Sequence, residues 1–547
     1  MNEQDPLPFL HIDGHRVWQM PELTSLRKLM PRATFWPFPS AESAPARLPE
    51  QSPLVRVING DWEFRLFDSP AEVTPAALAA EGWSRLAVPG NWTMQLRNEA
   101  YSGESFFRPH YTNIQMPFAD VFPHVPEFIA TGVYRTQLKI PAAWAEQRIV
   151  LHFAGCEGAL FVYLDGAFVG MNKDSRTPAE YDLTPLVQAG KTYELVCVNP
   201  RFSDASWIED QDHWWQAGIH RDVYLYATPT TYLQDLSVQT DLAEDLASAT
   251  LLVKAVVRSA IGTTPVGNVH MQLYDPAGQA LFAAPIESVV PGEPAGYRWH
   301  SGSPPSDTAA CLLKAAVERP DLWSAERPAL YTLVLTLDAG GQTTSTAVRI
   351  GFRKVEIRDR ELRINNRAVM IHGMNRHDHS DEHGKAVSRA LMLLDAQTMK
   401  AHNVNAVRTS HYPNDPYWLD LCDEYGFFVI DEANIENHAL LQLSEDLRVS
   451  AAYYERVRNM VERDKNHPCV IMWSLGNESG YGPNHVAAAA WIRHTDPTRP
   501  LHYEGAISGN LNDGSFSLGG QTGNWKRGYL ASDILCPMYA PIDAIVE

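Results

Sequence analysis

The sequence predicts a chain of mixed β and α/β bodies: a jelly-roll β-sandwich, an immunoglobulin-like β-sandwich, then an incomplete (β/α)8 TIM barrel. Three observations carry this expectation. At roughly 150 residues per domain, 547 residues suggest three to four domains. Up to about residue 353, short apolar stretches alternate with turn residues, as strands do. Beyond about 354, apolar strands alternate with helical stretches, which implies a parallel sheet with right-handed crossovers.

Residues 1–49, rich in Pro, Arg and Ser, read as an extended arm lying on the body. Residues 50–228 contain the runs RIVLHFAG, ALFVYLDGAFVG and YELVCVNP, and Asp165-Gly166 between two alternating runs is a strong hairpin signal. This stretch is the jelly roll. Residues 229–353, with ATLLVKAVVRS, VHMQLYD, YTLVLTLD and TSTAVRIGF, suit an immunoglobulin-like sandwich by length. In residues 354–547, VMIHGMNRH, NAVRTSHYP, FFVIDEAN and CVIMWSLGNESG are each followed by a helical stretch: 390–402, 417–425, 451–464 and 484–494. LHYEG and, after a Gly/Ser/Asn-rich insertion at 505–528 with no evident function, DILCPMY complete about six strands. A closed barrel needs eight.

Composition narrows the partners. A net charge of -20 argues against nucleic acid and anionic membrane surfaces, which would repel the chain. The start, MNEQDPLPFLHIDG, has no basic stretch followed by an apolar run, so no secretory signal is expected, and no apolar stretch approaches the ~20 residues of a bilayer span. Six scattered cysteines without a CxxC fit buried, reduced thiols in a cytoplasmic protein.

Polar residues gather after each barrel strand, where such barrels keep their catalytic groups. The sharpest signal is SLGNESGYG after VIMW: Glu478, beside an amide and glycines, suits a general acid/base, although it would serve equally to cap the next helix or pair with an arginine. In DEANIENH, Glu436 and His438 stand two apart and in extended backbone would face the same way, as a metal pair or as groups bonded to loop backbone. His377 and His411 follow two earlier strands and are expected to converge on one mouth.

SDASWIEDQDHWWQAGIHRDVYL, YTNIQMP, MNRHDH, VRTSHYPN, DEANIENH, RDKNHPCVIMWSLGNESGYG and DILCPMY, in that order from about Asn59 onward, together resemble the long cytoplasmic β-galactosidases of glycoside hydrolase family 2. The resemblance implies a retaining enzyme for terminal β-D-galactosides such as lactose. It implies Glu478 as acid/base, and Glu436, His438 and Glu478 at a Mg2+ ion; the imidazole ligand leaves room for Mn2+ and, less so, Zn2+. It further implies Asn113, Asp212, His377, His411, Asn477, Met538 and Tyr539 as substrate-binding residues, with Asp212 also a Na+ ligand. The β-glucuronidases and β-mannosidases are the near alternatives. The glucuronidase acid/base is usually followed by Pro, where this chain has Ser479, and EDQDHWW and CPMY also favour the galactosidase branch.

One departure stands out. The family's nucleophile, a Glu at the end of the seventh barrel strand, has no matching motif here, and DILCPMY belongs to the preceding strand. The expectation is therefore a chain inactive alone, or a fragment active only with a complementary C-terminal chain. The complete enzyme is expected to be a homo-oligomer.

Overall fold

Residues 55–228, with one short strand of the N-terminal arm, form two antiparallel sheets that share one apolar core. The computed structural model describes residues 3–97, 108–290, 307–506 and 528–536. The larger sheet has seven strands, in the order Ser25–Leu26, Ala167–Asn172, Leu160–Leu164, Thr192–Pro200, Thr131–Lys139, Gly60–Phe67 and Ser84–Val88. The smaller has four: Ala179–Asp182, Arg148–Phe153, Val223–Thr228 and Val55–Val57. Trp62, Phe64, Leu160 and Val162 of one sheet meet Ile149, Leu151, Val223 and Leu225 of the other. The Asp165-Gly166 hairpin forms as its sequence predicts, with both residues at positive φ (45° and 77°), the type I′ geometry whose twist matches the strands.

The second sandwich packs the strands Thr231–Leu242, Ser248–Ser259 and Thr308–Glu318 over Ile286–Val290, Gly267–Tyr274, Tyr331–Ala339 and Gln342–Ile350. Its strands show the two-residue period of a sheet wet on one face: Ala249, Leu251, Val253, Ala255 and Val257 are buried in strict alternation. The jelly-roll strand Arg148–Phe153 is buried at every position instead. Its outer face is covered by the N-terminal arm, where Trp36 packs on Tyr224 with ring centroids 4.6 Å apart. The arm ties the bodies together. Phe38 bridges Ser345 of the second sandwich, Arg32 pairs with Glu180 of the first, and Thr34 N–H donates to Arg463 of the barrel.

The barrel portion opens with a feature the sequence reading missed. Val355–Arg358, Glu361–Ile364 and Arg367–Ala368 form a small antiparallel sheet. Its two turns, Asp359-Arg360 and Asn365-Asn366, hold all four residues at positive φ. The first barrel strand then covers only part of VMIHGMNRH. The parallel sheet consists, among the described residues, of five strands: β1 (Gly373–Arg376), β2 (Ala406–Thr409), β3 (Phe428–Glu432), β4 (Val470–Ser474) and β5 (Leu501–His502). The sixth stretch, DILCPMY, is described only to Cys536 and is not strand there.

Four helices connect the strands: α1 (Arg389–Ala401), α2 (Pro416–Tyr425), α3 (Ser450–Asp464) and α4 (Pro483–Thr495). Their ends are written locally. Ser388 caps α1 by accepting from Leu391 N–H, and Asp415 caps α2 ahead of Pro416. Gly426 at φ 74° ends α2. Among the described residues no helix is long and apolar enough to cross a membrane. The six cysteines are free thiols, five buried and Cys536 half-buried.

Asp423 of α2 is a hub beneath the sheet. It accepts from His467 Nδ1 at 2.6 Å and from Cys469 N–H at 2.9 Å, while its carbonyl accepts from Trp323 of the second sandwich. Burial alone would lower the His467 value, but the Asp423 carboxylate beside it prevails and raises it from 6.5 to about 9. That displacement corresponds to roughly 3 kcal/mol of preference for the charged ring. Because the folded value lies above the unfolded one, this stabilisation is complete below about pH 6.5 and fades as pH rises through about 9. Thermal unfolding between pH 6 and 10 should therefore show His467→Gln least stable relative to the parent near pH 6, with the gap closing above pH 9. A gap that widens with pH would contradict the assignment.

Candidate active site

Glu478 follows β4 in a loop that must turn sharply. Gly476 sits at φ 134°, and a Cβ there would stand 2.5 Å from Ile435 O, so only glycine lets the loops after β3 and β4 lie together. Glu478 itself is left-handed at φ 43°, and its N–H donates to Glu504 Oε1 at 2.5 Å. Asn477 is held from both sides: its amide donates to Glu436 Oε1 at 3.1 Å and accepts from Arg408 Nη2 at 2.9 Å.

The ligand atoms of Glu436, His438 and Glu478 lie within 4.8 Å of one another. His438 Nε2 is 3.3 Å from Glu478 Oε2. The pairing of Glu436 with His438 does not arise from extended backbone, which corrects the alternation argument. Asn437 between them is left-handed at φ 34°, and the loop is shaped by contacts with the jelly roll. Glu436 is fully buried, and burial, then the neighbouring Asp210 and Glu478, push its carboxyl well above the ordinary range. Among the described residues, Glu436 Oε2 and His438 Nδ1 have no hydrogen-bond partner. An unused buried carboxylate oxygen on Glu436, with the His438 Nε2 and the Glu478 carboxylate beside it, is the kind of donor set that suits a hard divalent cation.

His377 and His411 do converge, with ring centroids 5.6 Å apart. His377 Nδ1 lies 3.2 Å from Tyr412 OH, and burial together with His411, Lys385 and Arg176 holds its ring down at about 3, so it is neutral. His411 Nδ1 is fixed by Glu432 at 2.7 Å. Asp212 comes from the jelly roll, and its backbone N–H donates to Glu436 Oε1 at 3.3 Å. Tyr111 OH donates to the Asp212 carboxylate. Asn113 lies two residues past Tyr111, on the segment that pairs with Trp214–Trp215, and its side chain is exposed. Met538 and Tyr539 lie outside the described residues, as does most of the 505–528 insertion.

Several residues here escaped the sequence reading. Glu432 at the end of β3 is completely buried and gathers Arg408 Nε, His411 Nδ1 and Ser474 Oγ, each at 2.7 Å. Burial would raise its carboxyl, yet Arg408 and His411 bring it down to about 2. Glu504 just after β5 is pushed up to about 7 by burial, against the pull of Arg408. His213 stacks near His377 at 4.2 Å, and burial and surrounding cations keep it neutral. A signal existed for two of these: Glu432 and Glu504 are carboxylates at or just past the C-terminal ends of barrel strands, as is Glu478.

Three family models match the chain in order. They are the sugar binding domain of glycosyl hydrolases family 2 at residues 55–229, a further family 2 domain at 231–353, and the family 2 TIM barrel domain at 355–543. The chain belongs to glycosyl hydrolase family 2. This family 2 chain is 40% identical over 499 residues to a β-galactosidase of Vibrio cholerae, covering 89% of this chain and 44% of that protein. It is 38% identical over 546 residues to a β-galactosidase of Psychromonas ingrahamii, covering 98% and 49%. The chain thus spans about half the length of the curated relatives it matches. Among solved structures, a β-D-glucuronidase of Dictyoglomus thermophilum shares 23% identity at a TM-score of 0.62, covering 83% of this chain and 73% of that one. A β-glucuronidase of Bacteroides uniformis shares 21% at 0.66, covering 82% and 52%. At these identities the likeness speaks for the fold.

Glu432→Gln should test how far the site depends on that buried carboxylate. Removing its charge takes from Arg408 its nearest carboxylate and leaves it Asn477 at 2.9 Å and Glu504 at 3.8 Å, so the cost should fall at or below the roughly 3–5 kcal/mol of breaking a fully buried pair. Unfolding of the family 2 chain by urea should register a measurable loss; an unchanged midpoint would mean that Asn477 and Glu504 suffice for Arg408.

Proposed function

We propose that this chain contributes the acid/base and metal side of a retaining β-galactosidase site, which hydrolyses terminal non-reducing β-D-galactosides such as lactose by double displacement. The observation that carries this is the convergence of Glu436, His438 and Glu478 at the C-terminal face of the parallel sheet. The names of the relatives at 38–40% identity support the galactoside over other family 2 substrates, as does Ser479 after Glu478.

Retaining hydrolysis needs two carboxyls ~5 Å apart, one to attack the anomeric carbon and one to move protons. Glu432 and Glu436 are sealed from solvent, whereas the Glu478 side chain is 21% exposed and meets the open mouth. Glu478 donates its proton to the departing glycosidic oxygen and then takes one from the attacking water. The nucleophile we place outside residues 1–547, since no matching motif occurs within them. Asn477, His377, His411, Asn113 and Asp212, with Met538 and Tyr539, are assigned to the galactosyl unit. Neutral His377 suits hydroxyl recognition because one ring nitrogen donates and the other accepts.

Glu436, His438 and Glu478 would hold Mg2+ or Mn2+, and Asp212 Na+. The divalent ion, when bound, supplies the positive charge that the two neighbouring carboxylates lack. In the cell we place the complete protein in the cytoplasm as a homo-oligomer, a setting that suits its free thiols.

Two experiments test the reading. Glu478→Gln in the complete enzyme should slow galactosides with poor leaving groups by ~10²–10⁴-fold and activated aryl galactosides much less. Equal losses on both would remove Glu478 from the acid role. Residues 1–547 assayed on a nitrophenyl galactoside should be inactive alone and gain activity when a C-terminal segment beginning near 540 is supplied, because losing a nucleophile costs on the order of 10⁶-fold. Full activity of 1–547 alone would show that the nucleophile lies within it.

A further inference from the structure

The loop after β3 carries two of the three proposed metal ligands, and its backbone is held by another domain. Glu436 N–H and Asn437 N–H both donate to Ile208 O, at 2.8 and 3.1 Å. His438 N–H donates to Asp210 Oδ1 and Ala439 N–H to Asp210 Oδ2, each at 2.8 Å. Four consecutive amides of the barrel loop thus end on two residues of the jelly roll, Ile208 and Asp210. Side chains extend the seam: Gln211 donates to Asn434 Oδ1 at 2.9 Å, beside the Asp212 N–H bond to Glu436.

The clamp is itself anchored. Ile208 N–H and Glu209 N–H bond back to Ala205 O, and Asp204 beside them is locked to Lys173 at 2.7 Å. Glu209 pairs with Arg456 of α3 at 2.6 Å, which fixes the segment against the barrel. Asp210 is 5% exposed, so its two acceptor oxygens are spent on these amides rather than on water.

We infer that Asp210 is the positioning residue of the metal-binding loop: its carboxylate sets where the His438 imidazole and the Glu436 carboxylate stand, and so how tightly the site holds a divalent cation. The inference rests on the metal reading above. The chemistry requires a carboxylate. An asparagine offers one oxygen and one NH2, so one loop N–H would face another donor and the loop would shift. Groups that orient metal ligands typically change metal affinity by ~10–100-fold when replaced.

A residue that merely glued the two domains would lower stability without moving metal affinity. Mn2+ titrated into the full chain and followed by electron paramagnetic resonance separates the two roles. The unsubstituted chain should bind one Mn2+ and Glu436→Gln should not. Asp210→Asn should bind ~10–100-fold more weakly. Arg221→Gln, which breaks an interdomain pair with Asp378 away from the loop, should lower the melting temperature and leave Mn2+ affinity unchanged. Asp210→Asn binding within twofold of the parent overturns the positioning role alone. Failure of the unsubstituted chain to bind Mn2+ overturns the metal reading and this inference with it. Should Asp210→Asn not fold, amide exchange on the unsubstituted chain decides: protected amides at 436–439 support the clamp, and exchange as fast as an exposed loop refutes it.

Discussion

A carboxylate taken out of water must be compensated, and the C-terminal face of this parallel sheet buries more carboxylates than it has cations to answer. Glu432 is answered by Arg408, with His411 hydrogen-bonded beside it. Arg463 answers Asp464 at 2.7 Å. Asp431, fully buried near Asp464, is pushed well above the ordinary range by burial and then by that neighbour. Glu436 receives only N–H donors, from Asp212 and Asn477, and no described cation. The shortfall is therefore local. It lies where the Glu478 carboxylate also points, so the missing positive charge and the candidate acid/base share one position. That coincidence is what makes a divalent cation the physically economical completion of the site.

The same constraint explains why the jelly roll belongs to the site at all. Loops after barrel strands carry function because they are free of the sheet ladder, but their amides then need partners elsewhere. Here the loop after β3 takes them from residues 208–210. The loop after β4 takes one from Ile435 and one from Glu504. Each loop is thus specified by its neighbours, and the glycines at 476 and 482 are points where they approach too closely for a side chain. The arm adds a third tie, since it bonds to both sandwiches and to α3 through Arg463.

Much of the fold was legible because its signals are local. Asp165-Gly166 specifies its own hairpin, Asp415-Pro416 starts a helix and Gly426 stops one, and the alternation in Ser248–Ser259 needs only one wet face. The sheet at 355–368 was missed because Asp359-Arg360 is a weak turn signal and its strands are short. In the site, Glu478, Glu436 and His438 stood out as polar groups after apolar strands. The reason given for pairing the last two was wrong, since a left-handed Asn437 cannot be read from alternation. Glu432, Glu504 and Asp210 were passed over because their importance is a matter of contacts between segments up to about 230 residues apart, which periodicity does not encode.

Those long separations bear on how the site can assemble. Loop-closure entropy grows only slowly with the length of the loop, so joining residue 210 to residue 438 costs little more than joining much nearer ones. What the contact does require is two surfaces packed together. The jelly roll has its own core of Trp62, Phe64, Leu151 and Leu225, and the sheet packs Val429, Val470 and Trp473 in a core that Trp207 and Ile208 of the jelly roll join. The loop after β3 has no such core of its own; its four amides are satisfied only once the domains dock. Order in the ligand set is then a consequence of domain docking, and by linkage an ion that binds the ordered loop must strengthen the docking by the same free energy.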